Sequence, residues 1–84
     1  MAVSKKTKVV LRKLGREKAF GLAHFDDNKI EIDPRQRTLT YLDTLIHEKL
    51  HLLNPDWSES KVKKHAREIT TLLWEHGYRW VELK

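Results

Sequence analysis

Apolar and polar positions alternate with a period near two in the first third of the chain and near 3.6 in the rest. Over Lys8–Leu14, Val9, Leu11 and Lys13 oppose Val10, Arg12 and Leu14, which predicts a first strand. Gly15-Arg16 then reads as a turn. Lys18–Phe25, with Phe20, Leu22 and Phe25, predicts a second strand. Asp26-Asp27-Asn28 is a strong turn signal, because these short side chains bond nearby backbone and tolerate left-handed geometry. Lys29–Asp33 sets Ile30 and Ile32 against Glu31 and stops at Pro34, which completes the pattern of a β-hairpin.

The period then changes. Leu39, Leu42, Leu45, Ile46, Leu50 and Leu53 form one apolar stripe of a helix running from about Leu39 or Tyr41 to Leu53. Thr38 or Thr40 is placed to cap it, with Asp43 as the acid of a T-x-x-D pattern. Asn54-Pro55-Asp56-Trp57 breaks the helix. Ser58 is a good cap for a second helix from Glu59 to about His76, with the stripe Val62, Ala66, Ile69, Leu72 and Leu73. Gly77 suits the position just past its end, and Arg79–Leu83 is read as a short closing strand. The connection between the helices is short, so they should pack as an antiparallel pair. The expected fold class is α+β, a small antiparallel sheet with its hairpin before the first helix, packed on that pair. At 84 residues the chain is read as one domain, with the basic segment 1–8 as a candidate disordered arm.

Thr44, His47, Glu48 and His51 fall opposite the Leu/Ile stripe of the first helix. His47-Glu48-Lys49-Leu50-His51 spells H-E-x-x-H. On a helix, positions i and i+4 stack on one face, so two neutral imidazoles can reach one zinc ion from the same side. The Glu between them is placed to act as general base toward a water on the metal. Catalytic zinc sites keep three protein ligands, so a third is needed. The candidates are Glu59, His65, Glu68, Asp56 and His24. In an antiparallel pair, His51 near the end of the first helix should meet a residue near the start of the second. Glu59 meets that condition and is favoured. His65 is second, roughly 9 Å deeper along the axis, and Glu68 is third. An acid at the positive end of a helix dipole also explains Glu59 without any metal.

Composition narrows the classes. There are no cysteines, which excludes disulfides and cysteine-type zinc sites. No apolar run is long enough for a membrane span, and the polar, basic start lacks the apolar core of a signal peptide, so a cytoplasmic setting is expected. The net charge of +5 is carried by residues 1–18, with seven Lys/Arg against one Glu. Such a segment either solubilises the chain or contacts nucleic acid or an acidic partner. Phe20, Phe25, Trp57, Trp74 and Trp80 are expected to build the core.

Thr44-Leu-Ile-His-Glu-Lys-Leu-His51, followed by Asn54-Pro-Asp-Trp-Ser-Glu59, resembles the zincin metallopeptidases. It looks most like the short metallopeptidases of phages and bacteria, a minimal gluzincin-like or SprT-like type. The hairpin ending in Lys29-Ile-Glu-Ile-Asp33 resembles the strands before the zinc helix of that fold, so the likeness extends roughly over Ala19 to Tyr78. The resemblance implies that His47 and His51 bind one zinc ion per chain, that Glu48 is the base, and that an acid on the next helix is the third ligand. It also implies that an edge strand holds a peptide or protein substrate in extended form. The chain departs from the pattern at Lys49, where these enzymes carry an aliphatic residue, and Lys49 is expected to lay its stem on the core with its ammonium in solvent. No Tyr or His follows the third ligand in an obvious place to stabilise an oxyanion, and His65, His76, Tyr78 and His24 are the candidates, with Glu68 a lesser one. The rival readings are a non-catalytic basic domain that binds nucleic acid or a protein, and a zincin-like fold that binds metal without activity. Either a monomer or a homodimer fits, since a small sheet leaves edges to protect.

Overall fold

The computed structural model describes residues 6–17 and 19–79, and shows an α+β fold. Three strands, β1 (Lys8–Leu11), β2 (Gly21–His24) and β3 (Lys29–Ile32), precede two helices, α1 (Thr38–Leu53) and α2 (Glu59–Glu75). The expected closing strand falls largely on residues outside those described, and Arg79 itself is not in a strand. Residues 1–5 of the basic segment also lie outside them. Beyond these, the Lys8 N–H donates to Asn28 O at 3.1 Å, and the Asn28 amide donates to Lys6 O at 3.3 Å.

The sheet is mixed, which corrects the all-antiparallel expectation. Its order is β1-β3-β2, with β2 antiparallel and β1 parallel to β3. The β2–β3 hairpin forms as its turn predicts, and Asn28 takes the left-handed conformation (φ 48°) that asparagine tolerates. Gly15-Arg16 is no hairpin turn, but part of a short 3-10 turn, Gly15–Glu17. The Arg12 N–H bonds Ile32 O and the Leu14 N–H bonds the Asp33 carboxylate, so the chain leaves β1 past the end of β3, and β1 pairs on the side of β3 away from β2. Asp33 anchors this passage. Its carboxylate accepts the Leu14 N–H at 3.0 Å, the Arg35 N–H at 3.0 Å, and Arg35 Nε and Nη2 at 2.9 and 2.6 Å. Bonding to Arg35 above all, then to Leu14 N–H, holds this carboxyl far below the usual range.

Helix α1 starts one residue before the earliest expected position, and neither threonine caps it. Arg37 occupies the cap position with no side-chain bond, and Asp43 instead accepts from Thr70 Oγ1 at 3.2 Å across the helix pair. Helix α2 begins as read, with Ser58 Oγ accepting from Lys61 N–H at 3.1 Å. It ends in a Schellman motif: Gly77 N–H bonds Trp74 O, Tyr78 N–H bonds Leu73 O, and Gly77 has φ 85°. Among the described residues, no helix is long and apolar enough to cross a membrane.

The core joins Ile30 and Ile32 of β3 to Tyr41, with Leu45 and Leu52 packed against them. Val62 and Ala66 bury the inner face of α2, while Ile69, Leu72, Leu39 and Leu53, expected in the two stripes, stay substantially exposed. In a small two-layer fold the helices have too few neighbours to cover a full stripe.

Candidate metal centre beside an open strand edge

The motif face of α1 does not point away from the sheet. It meets the edge strand β2. A Cβ added at Gly21 would lie 2.6 Å from Thr44 Cγ2 and 2.9 Å from Glu48 Cγ, so the helix sits against bare backbone here. Gln36 fixes the approach, donating to Phe20 O at 3.2 Å and Asp33 O at 2.9 Å while accepting from Thr44 Oγ1 at 2.7 Å. Sequence reading overlooked both Gly21 and Gln36. A glycine within a strand pattern was the available signal, since it marks a close backbone approach.

One turn apart on α1, His47 and His51 bring their Nε2 atoms to 3.2 Å, with the rings edge to face at 62°. Glu59, in the first turn of α2, reaches both: Oε1 lies 2.6 Å from His47 Nε2 and Oε2 lies 2.9 Å from His51 Nε2. The short Asn54–Ser58 connection positions it, and the Trp57 N–H bonds Asn54 O at 3.0 Å. These three side chains are the group among the described residues able to hold a metal ion, their ligand atoms lying within 4.8 Å of one another.

The donor set fits a divalent cation. Ligands about 2.0–2.1 Å from a tetrahedral zinc stand about 3.3 Å apart; the two imidazole nitrogens lie 3.2 Å apart, while the Glu59 oxygens, at 2.6 and 2.9 Å from them, would draw back to admit the ion. Each Nε2 can donate its hydrogen to one oxygen of Glu59, and a divalent cation held among the three side chains would engage the same atoms.

Glu48 lies between the ligands on the cleft side. Burial raises its carboxyl above the ordinary value, and the nearby Glu59 adds to this, while His47 and His51 pull the other way. The cleft, about 360 Å³, is lined by Gly21, Leu22, Ala23 and Phe25 from β2 with His47, Glu48, His51 and Glu59. In the antiparallel ladder, Asp33 N–H bonds Phe20 O at 2.9 Å. Hydrogen-bonded positions alternate, so Phe20, Leu22 and His24 turn to β3 while Gly21 and Ala23 direct their N–H and C=O groups to the other edge, which no strand among the described residues covers. Phe25 is 51% exposed on the cleft and Phe20 is 65% exposed away from it, both contrary to the expectation that they build the core.

The other candidates lie elsewhere. His65 stacks on Trp57 at 4.8 Å between ring centres, and Lys61 Nζ sits 4.6 Å from the same ring. Glu68 and Asp56 are exposed, and none of these three lines the cleft. His24 bonds Glu31 at 2.6 Å on the other side of the sheet. His76 caps the end of α2 and Tyr78 lines a separate hollow with Tyr41, Leu42 and Leu73. Thus no His beyond His47 and His51, and no Tyr, joins the cleft among the described residues. Lys49 does not end in open solvent: its Nζ donates to Thr7 Oγ1 at 2.6 Å, tying the motif helix to the residue before β1.

Compared with known proteins, the chain matches no family model, no curated protein and no solved structure.

Proposed function

We propose that this protein is a zinc-dependent peptidase. The observation that carries the proposal is the convergence of His47, His51 and Glu59 on one point, with Glu48 beside it and, across the cleft, a strand edge unpaired among the described residues. One zinc ion per chain, held by those three residues, would lower the pKa of a bound water toward 7 and polarise a carbonyl. Glu48 takes the proton from the attacking water and delivers it to the leaving amine. The backbone groups of Gly21 and Ala23 bind an extended peptide as an added strand. They are also the donors nearest to hand for a developing oxyanion, a part no side chain of the cleft is free to play. The protein substrate is met in the cytoplasm, in keeping with a chain without cysteine.

The test has two arms. Protein purified without a metal-affinity column is analysed for metal, with one zinc per chain expected for the wild type and none for His47→Ala or His51→Ala. Cleavage of a denatured protein substrate is then followed for wild type and Glu48→Gln. The substitution should keep zinc and abolish cleavage. Failure to take up zinc at micromolar levels overturns the proposal, whereas zinc uptake without cleavage by the wild type identifies an inert metal-binding domain.

A further inference from the structure

The sheet has two faces, and α1 packs on only one. That face carries Gly21, Ile30 and Ile32. By alternation the opposite face carries Lys8, Val10 and Arg12 from the first strand and its extension, Lys29, Glu31 and Asp33 from the third, and Phe20, Leu22 and His24 from the second. Among the described residues, no helix covers it.

Its charges are layered. Glu31 and Asp33 are 8% and 3% exposed, and both oxygens of each carboxylate are occupied. Glu31 receives Arg12 and His24, and Asp33 receives Arg35 and the Leu14 N–H. The guanidinium groups lie above them, with Arg12 and Arg35 side chains about half exposed. Solvent therefore meets cations over buried anions. Lys8 and Lys29 are direct cross-strand neighbours, with His24 on the far side of Lys29. Neither lysine has an ion-pair partner among the described residues. Like charges placed directly opposite destabilise a sheet, so the fold gains nothing from this row. At the other end of the face, Phe20 borders a hollow of about 280 Å³ with Asp33, Arg35 and Gln36. An exposed phenylalanine beside a guanidinium gains nothing for the core either.

We propose that this open sheet face binds single-stranded nucleic acid. Lys8 and Lys29 contact backbone phosphates, Arg12 and Arg35 supply the surrounding positive field, and a base stacks on Phe20 next to Arg35. Lysines act as point charges for phosphate. Aromatic rings on a basic surface stack unpaired bases, which a duplex does not offer. An acidic protein segment would use the charges but leave Phe20 without a role. This face lies across the sheet from the metal centre and is independent of the peptidase proposal.

The test is fluorescence anisotropy of a labelled 15-nucleotide oligothymidylate titrated with the full chain at several salt concentrations. Affinity should fall steeply with salt, by about 0.7 log units per log unit of salt for each phosphate neutralised. In Lys8→Ala/Lys29→Ala that slope should shrink by about 1.4, and Lys8→Arg/Lys29→Arg should restore it. Phe20→Ala should weaken binding about five- to 150-fold while leaving the slope unchanged. Far-UV circular dichroism checks that each variant is folded. No binding at low salt overturns the proposal, as does an unchanged slope in the double-alanine variant. Equal binding of duplex, or equally effective competition by polyglutamate, also overturns it, the latter pointing to an acidic protein partner.

Discussion

Gly21→Ala isolates the contact that sets the motif helix against the strand edge. The new Cβ would stand 2.6 Å from Thr44 Cγ2, in a side chain tied to Gln36, and 2.9 Å from Glu48 Cγ. An ordinary carbon–carbon contact is about 3.5–4.0 Å, so α1 must retreat by close to an ångström or Thr44 must rotate. Rotation breaks the 2.7 Å bond to Gln36, worth about 1 kcal/mol. Forcing a methyl into packed space costs about 1–3 kcal/mol. In an open strand the same substitution would instead stabilise, by about 0.5–1 kcal/mol, because alanine loses less backbone freedom than glycine. The sign of the effect therefore reports the contact. Thermal unfolding of the metal-free protein should show a melting temperature lowered by about 4–20 °C. Thr44→Ser, which removes Cγ2 and keeps the hydroxyl, should recover part of that loss in the double variant. Gly15→Ala serves as control, since its Cβ meets only the flexible tip of Arg35 at 3.4 Å. Should Gly21→Ala melt at or above the wild type, the close approach of α1 to β2 is refuted.

Zinc at about a hundredfold its dissociation constant should stabilise the apo-protein by about 2.7 kcal/mol. In a thermal scan this is a rise of about 10–20 °C, absent in His51→Ala; an equal rise in that variant would locate the metal elsewhere. Asp33 is held ionised by Arg35, so its contribution is fully present above the ordinary aspartate value and is lost as pH falls through the depressed one. The deficit of Asp33→Asn should thus be largest at neutral pH and close on acidification, and a deficit independent of pH in EDTA-treated protein would contradict this. Gly77→Ala places a side chain at φ 85° in the Schellman turn, and should cost about 1 kcal/mol in chemical denaturation. No measurable cost would show that the turn is not formed.

Local features were readable because their causes lie within a few residues. The i, i+4 spacing of His47 and His51, the Ser58 cap, the Gly77 turn and the Asp26–Asn28 turn depend on neighbours along the chain. Even there, the α1 cap was misread. Thr38 and Thr40 fit a capping pattern, yet Gln36 already organises the entry of the helix by bonding Phe20 O and Asp33 O, which flank β2 and β3. The apolar stripes were visible, but not how much of each would be covered.

The sequence by itself determined two helices, a hairpin, and a helix face carrying His47, Glu48 and His51, since helical phase follows from spacing alone. The tertiary structure decided the rest. It paired β1 with β3, leaving the edge of β2 unpaired among the described residues, and it brought α1 against Gly21. It placed both oxygens of Glu59 on the two imidazoles, and ran Lys49 to Thr7. Each of these joins positions separated by a turn or by half the chain. Which pairing forms depends on loop closure, packing and competition among all the surfaces present, and no short stretch of residues encodes that comparison.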